Sequence, residues 1–415
     1  MTPWLAWGTT AATVACVVAR PGRWPEWVYA VAGALIVALS GALPWPRVGH
    51  AVGEGLDVYL FLAGMLLLSE LARREGLFDW VAQLAARHAR GSGRRLFALV
   101  FATGVVVTVF LSNDATAVVL TPAVIAVARK ARAPMLPLLF ACAFVANAAS
   151  FVLPISNPAN LVMFGEHLPP LPQWLVRFAL PSLVAIMLTC AVLAWSQRRA
   201  LAQPVSSEVA MEPINAQARL TLLALAATAL VLMLASWRGW PLGWPTAAMA
   251  ALAVLALSLR GRSAPWSVVA GVNWGVLPLV AGLFVLVEAL RQTGLVATLA
   301  ELLTQQLQAG STQAAWSVAA TVTLASNLAN NLPVGLLASA TLVQAAPPEV
   351  VRDAALIAVD LGPNIAVSGS LATLLWLAIL RREGERVGFF QFLRLGLLVT
   401  LPALVAAITV RLMLG

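Results

Sequence analysis

The chain has 415 residues, of which 61% are hydrophobic and only 10% charged, with a formal net charge of +9. That is far from the roughly 25% charged content of soluble domains, and several apolar runs reach the ~20 residues that cross a bilayer. The sequence is therefore that of an all-α polytopic membrane protein, and its excess of arginine, with no long basic run, points to membrane topology and not to nucleic acid.

The opening MTPWLAWGTT has no basic n-region, so the first helix is expected to stay in the mature protein. Helices are predicted over 4–19, 28–45 and 57–73, followed by an amphipathic stretch, LFDWVAQLAARHARGSGRR. A 33-residue segment, 96–128, comes next and is interrupted by LSNDAT. A second segment, 134–165, is broken at LPISNPANL, and a final helix covers 173–196. The polar run 197–219, with two prolines, reads as a surface linker. Beyond it the order recurs: helices at 219–236, 244–259 and 276–291, an amphipathic LVATLAELLTQQLQAG, interrupted segments at 312–343 and 348–380, and a last helix at 388–412.

The recurrence extends to residues. FLAGMLLLSELARREGL (61–77) and LVAGLFVLVEALRQTGL (279–295) coincide at seven of 17 positions at a shift of 218. The same register carries Asn113 onto Asn331. Duplication around a central linker is a signature of secondary transporters. Two repeats, 1–197 and 218–415, joined by the linker 198–217, are expected.

Charge decides the topology. If 96–128 enters and returns as a re-entrant hairpin, and 312–343 does the same, 20 of the 26 Arg and Lys residues share one face. Arg47, Arg177, Arg238, Arg291, Arg352 and Arg411 remain on the other. Each repeat then makes five crossings, so the second is inverted relative to the first. The linker is expected on the cytoplasmic side and both termini on the periplasmic side.

Irregular backbone at membrane depth persists only where protein buries it or water lines it. Four interruptions qualify: the hairpin tips LSNDAT and SNLANNLP, and the breaks LPISNPANL and DLGPNIAVSGSLAT. The breaks align at a shift of 213. Half-helix ends meeting at the midplane build a binding site from backbone dipoles and short polar side chains. Asp114 and Asp360 are the acidic residues of these breaks, and an intramembrane carboxyl is a candidate proton carrier. Asp114 has no acidic twin, because its repeat partner is Leu332; Asp360 pairs with Asn147. Glu70/Arg73 and Glu288/Arg291 read as helix-end ion pairs before a glycine C-cap at Gly76 and Gly294. Cys16, Cys142 and Cys190 read as small core residues, His50, His88 and His167 as loop or interfacial residues, and the 15 tryptophans as interface anchors. Neither a cofactor nor a resident metal is implied.

SNDATAVVLTP, SNLANNLP, PISNPANLV and DLGPNIAVSGSLATLLWL together resemble the ion transporter superfamily, and within it the ArsB family of arsenite and antimonite efflux carriers. The resemblance covers essentially the whole chain. It implies an inner-membrane carrier with scaffold and transport portions, which exchanges trivalent arsenic or antimony hydroxide for protons by an elevator-like motion. It also leaves room for docking on a cytoplasmic ArsA-type ATPase and for a homodimer. Carried over by resemblance, the substrate-contacting residues are Ser112, Asn113, Asp114, Thr116, Ser156, Asn157, Asn160, Asn330, Asn331, Asn364, Ser368 and Ser370, with Asp114 and Asp360 in proton coupling. The sequence departs from the usual family pattern at FVLPISNPAN, and at Asn364, where a lysine often follows the Gly-Pro.

The residues suit such a cargo. Arsenite near neutral pH is largely an uncharged trihydroxide, whose hydration shell amides, hydroxyls and backbone groups can replace without a fixed cation. No Arg, Lys or Cys occupies the four breaks. The rival readings are a related carrier for silicic or boric acid, sodium ion or an organic anion, and, in a different class, a passive channel. No nucleophile–base pair or metal-ligand spacing suggests an enzyme.

Overall fold

A computed structural model describes residues 3–206, 213–261 and 265–415, so part of the expected linker, 207–212, lies outside the described residues. The described chain is helical, with one isolated bridge between Ser92 and Pro204. In the first half the helices are α1 (Pro3–Ala19), α2 (Glu26–Leu39), α3 (Trp45–Glu54), α4 (Leu56–Arg74), α5 (Leu77–His88) and α6 (Gly93–Phe110). A one-turn α7 (Asn113–Ala115) and a π-helical turn (Thr116–Leu120) lead into α8 (Thr121–Lys130). Then follow α9 (Met135–Ala148), α10 (Pro158–Phe164), α11 (Leu171–Ser196) and the short α12 (Arg198–Leu201).

The second half runs through α13 (Ala216–Trp237), α14 (Gly243–Gly261), α15 (Pro265–Gly271), α16 (Val276–Gln292) and α17 (Leu295–Gln308). It continues with α18 (Ser311–Ala329), α19 (Asn331–Ala345), α20 (Glu349–Leu361), α21 (Leu371–Arg382) and α22 (Phe389–Met413). Five helices, α6, α11, α13, α14 and α22, are individually long and apolar enough to cross a membrane. Two bent pairs, α3–α4 at 49° and α15–α16 at 50°, pass the same test as units.

The interrupted segment after α5 folds back on itself. Val205 N–H donates to Gly91 O at 3.0 Å, and the next residue, Ser206, donates to Ala131 O at 2.7 Å. Consecutive donors hold both carbonyls within about 10 Å of each other, whereas a straight helix over those residues would separate them by about 60 Å. α6 is thus long enough to span alone, yet it forms one arm of a hairpin whose ends share a side. In the later segment, α18 and α19 pack on each other and both on α17. The chain turns at Asn330, whose φ of 74° and ψ of 148° lie outside the left-handed helical region, a strained backbone that glycine adopts far more readily than asparagine.

The aligned run AG(M/L) explains how the halves meet. Gly64 of α4 lies against α14, where a Cβ would come within 2.7 Å of Thr246. Its counterpart 218 residues on, Gly282 of α16, lies against α2, where a Cβ would come within 2.7 Å of Ala30. Each half of the chain therefore seats this glycine on a helix of the other half. Gly76 and Gly294, at φ 70° and 84°, end α4 and α16 in the left-handed region as their spacing predicts. Arg73 Nε and Nη2 reach Glu70 at 2.7 Å each, and Arg291 reaches Glu288 at 3.4 Å.

Two expectations need correction. The second predicted helix does not run from 28 to 45: α2 ends at Leu39, and α3 and α15 are short helices that periodicity missed. Both are brief and lie just ahead of a bend, so no long apolar face announces them. The tryptophans do not all anchor an interface either. Trp174 and Trp376 are fully buried, and their indole N–H groups bond Phe151 O and Leu139 O, which braces the two broken helices. Cys142 is buried as expected, while Cys16 and Cys190 are half-buried.

Candidate functional site

The four polar interruptions each restart a helix, and each restart is capped by its own side chain. Ser112 Oγ accepts from Ala115 N at 3.2 Å, and Asn330 Oδ1 accepts from Leu332 N at 3.2 Å. Asn157 Oδ1 accepts from Ala159 N at 3.0 Å, and Ser370 Oγ accepts from Ala372 N at 3.2 Å. Ser112 and Asn330 differ by the hairpin shift of 218, and Asn157 and Ser370 by the break shift of 213.

The four capped ends converge. Asn113 and Asp114, Asn157 and Pro158, Asn331 and Leu332, and Ser370 and Leu371 line one small space, closed on another side by Leu62 of α4 and Val276 of α16. Its volume is about 10 Å³, room for about one water. A second cavity of about 210 Å³ adjoins it, lined by Ser112 and Asp114 at one end and by Ser69, Glu70, Arg73 and Asn273 elsewhere. Asp114 borders both spaces. Its backbone N–H donates to Asn113 Oδ1 at 2.9 Å, and no partner for its carboxyl is found among the described residues.

The remaining predicted residues form a supporting layer. Thr116 turns into the hairpin, 2.8 Å from the Thr108 hydroxyl. Ser156 Oγ donates to Val109 O at 3.1 Å, and Ser368 Oγ donates to Asn327 O at 2.7 Å, so each break is tied to the first arm of a hairpin. Asn160 braces its own loop through Ser150 O at 2.9 Å. Asn147 Nδ2 donates to Asn364 Oδ1 at 2.9 Å, and Asn157 Nδ2 donates to Asp360 Oδ1 at 2.7 Å; both pairs link the two broken helices. Asp360 is fully buried, and its Oδ2 has no partner among the described residues.

Sequence reasoning passed over Asn327. Its Nδ2 donates to Gly362 O at 2.9 Å and Thr323 O at 2.8 Å, while its Oδ1 accepts from Ala366 N at 2.7 Å. The signal lay inside SNLANNLP, one turn before the tip, where the choice fell on the last two asparagines.

Each half-helix directs its unpaired N–H groups and the positive end of its dipole toward the common space. The residues lining that space include no Arg, Lys or Cys, and Asp114 is their only titratable side chain. Such a site offers many donors, a few acceptors and one carboxyl, which suits a small solute rich in oxygen.

Fold and site together define a multi-pass membrane protein whose broken helices converge on one polar space. The family model described as CitMHS, Citrate transporter, matches residues 14–363, and the chain belongs to that family. It is 28% identical over 404 residues to an arsenical pump membrane protein of Escherichia coli, covering 92% of this chain and 93% of that protein. An arsenical pump membrane protein of Yersinia enterocolitica is also 28% identical, over 84% of this chain and 85% of its own. These matches bear out the resemblance drawn from the interruptions. Among solved structures, the YdaH transporter of Alcanivorax borkumensis aligns with a TM-score of 0.54 at 15% identity, covering 88% of this chain and 86% of that one, a likeness of fold alone.

Proposed function

We propose that this transporter exports the neutral hydroxides of trivalent arsenic and antimony from the cytoplasm in exchange for protons. The observation that carries the reading is the convergence of four capped half-helix ends on a space whose only titratable side chain is Asp114. Amides, hydroxyls and backbone N–H groups replace the cargo's hydration shell, and Asp114 alternates between proton and cargo. The names of the E. coli and Yersinia relatives support arsenic as the cargo.

The inverted topology of the two repeats draws support from the long-range polar contacts, which join residues assigned to one face. Arg129 at the end of α8 meets Glu383 after α21 at 2.8 Å, both cytoplasmic in this reading. On the other face Arg47 meets Glu288 at 3.5 Å, and Arg411 meets Asp353 at 2.7 Å. The 210 Å³ cavity then opens toward the cytoplasm. Alternating access follows if the hairpins and broken helices slide as a body along α4 and α16, whose Leu62 and Val276 present an apolar wall to the site.

An organic anion is the second reading, favoured by the description of the family model and by the positive helix ends. A polycarboxylate would meet no Arg or Lys at the four tips. Uptake of arsenite and of citrate into proteoliposomes, each competed with the other, separates the two. Arsenite uptake untouched by citrate supports the proposal; citrate uptake without arsenite uptake rejects it.

A further inference from the structure

Glu70 and Arg73 read from sequence as a helix-end ion pair with a matching pair, Glu288 and Arg291, in the other repeat. Their surroundings differ. Glu70, Arg73, Ser69 and Asn273 line the 210 Å³ cavity that reaches Asp114, whereas neither cavity bordering Asp114 is lined by Glu288 or Arg291. Leu62 belongs to both cavities, and the helical rise places Arg73 about 16 Å further along α4. The charged group therefore stands at the far end of the route from the four tips.

Its chemistry also differs from that of its twin. Glu70 Oε1 accepts from Arg73 Nη2 and Arg74 Nε, and Oε2 accepts from Arg73 Nε, all at 2.7 Å. The carboxylate is buried and fully occupied by two guanidinium groups, so the cluster carries one net positive charge. The Arg73 side chain stays 51% exposed, held in orientation by a bidentate contact that leaves further N–H donors for a ligand. Beside it stand the hydroxyl of Ser69 and the amide of the exposed Asn273. In the twin, Glu288 is contacted more loosely, by Arg291 at 3.4 Å, Arg47 at 3.5 Å and Gln292 at 2.9 Å.

We infer that Arg73, oriented by Glu70 and flanked by Ser69 and Asn273, forms an entry subsite that binds the oxygens of the cargo before it reaches the four helix tips. The inference rests on the reading of this cavity as the cytoplasmic mouth of a metalloid hydroxide exporter. The subsite recognises hydroxyl or oxyanion oxygens through fixed N–H donors, and its positive charge disfavours inorganic cations at the mouth.

Initial rates of arsenite uptake into inside-out proteoliposomes, measured against arsenite concentration under a fixed pH gradient, test it. Arg73→Gln is expected to raise KM roughly three- to tenfold with the maximal rate within about twofold of wild type. Arg73→Lys should recover part of the loss. Arg291→Gln removes the equivalent helix-end pair, which lines neither cavity bordering Asp114, and should leave KM unchanged. A wild-type KM in Arg73→Gln, or equal effects of Arg73→Gln and Arg291→Gln together with equal losses of thermal stability, would overturn the subsite while leaving the cargo assignment intact. No arsenite uptake by the wild type would contradict the cargo assignment itself and take the subsite with it.

Discussion

Asp114 sits where the two cavities meet, at the first turn of a restarted helix, with its carboxyl facing the route and not a partner. Asp114 is partly buried and faces no counter-charge among the described residues, the setting in which an intramembrane carboxyl is a candidate proton carrier. Asp114→Asn keeps the shape and the hydrogen-bonding reach but removes the proton. It is expected to lower proton-driven exchange by more than about tenfold while the purified variant melts within a few degrees of wild type; full exchange by that variant would remove Asp114 from proton coupling. Asn327 makes a different prediction. Replacing it by Ala strands the Gly362 carbonyl and the Ala366 N–H in a dry interior, at a cost of about 1–3 kcal/mol for each group left unpaired. The expected outcome is a clear fall in thermal stability, measured by loss of monodisperse protein after heating in detergent.

At the scale of elements, the organising contacts are the glycine seats of α4 on α14 and of α16 on α2. Gly282→Val would drive two methyl groups into the Ala30 backbone, a contact that α2 cannot relieve by a rotamer change. It is expected to destabilise by about 1–3 kcal/mol, with Gly64→Val comparable against Thr246. Stability of both variants equal to wild type would show that the helices can part at these points. The long helices, the left-handed glycines and the four interruptions were legible because each has a local signal: an apolar run, a glycine after an ion pair, or polar residues where an apolar run breaks; that a Ser or Asn caps each restart was not read. The bend helices α3 and α15 were not legible, since α3 packs mainly on α16 and α15 on α4 and α14, and neither carries a long apolar face of its own. The π-helical turn at Thr116–Leu120 was also hidden, as nothing in TAVVL separates it from ordinary helix. Among the site residues, spacing identified the tips but could not tell lining from support. Asn157 and Asn160 lie one turn apart in the same break, yet one borders the site and the other braces the loop behind it. Which way a side chain points after a broken helix depends on the partner helix, and a single break does not contain that information.

For the whole molecule, the contacts fall into two groups. α1 to α4 and α13 to α16 pack among themselves through the glycine seats, while the hairpins, the broken helices, α11 and α22 form a second body tied by asparagine and serine bonds. They meet at the site, where the first group contributes apolar Leu62 and Val276 and the second contributes the four polar tips. Polar bonds are concentrated within the second group, and the surfaces of the first group that meet them at Leu62 and Val276 are apolar. The central claim, that a metalloid hydroxide and protons pass through this site in opposite directions, is tested most directly in proteoliposomes holding the purified protein. Arsenite flux is followed with and without an imposed pH gradient, together with internal pH. The account predicts arsenite movement driven by the gradient, accompanied by proton movement the other way, and both abolished together by Asp114→Asn. Arsenite flux that ignores the gradient and leaves internal pH unchanged would contradict it.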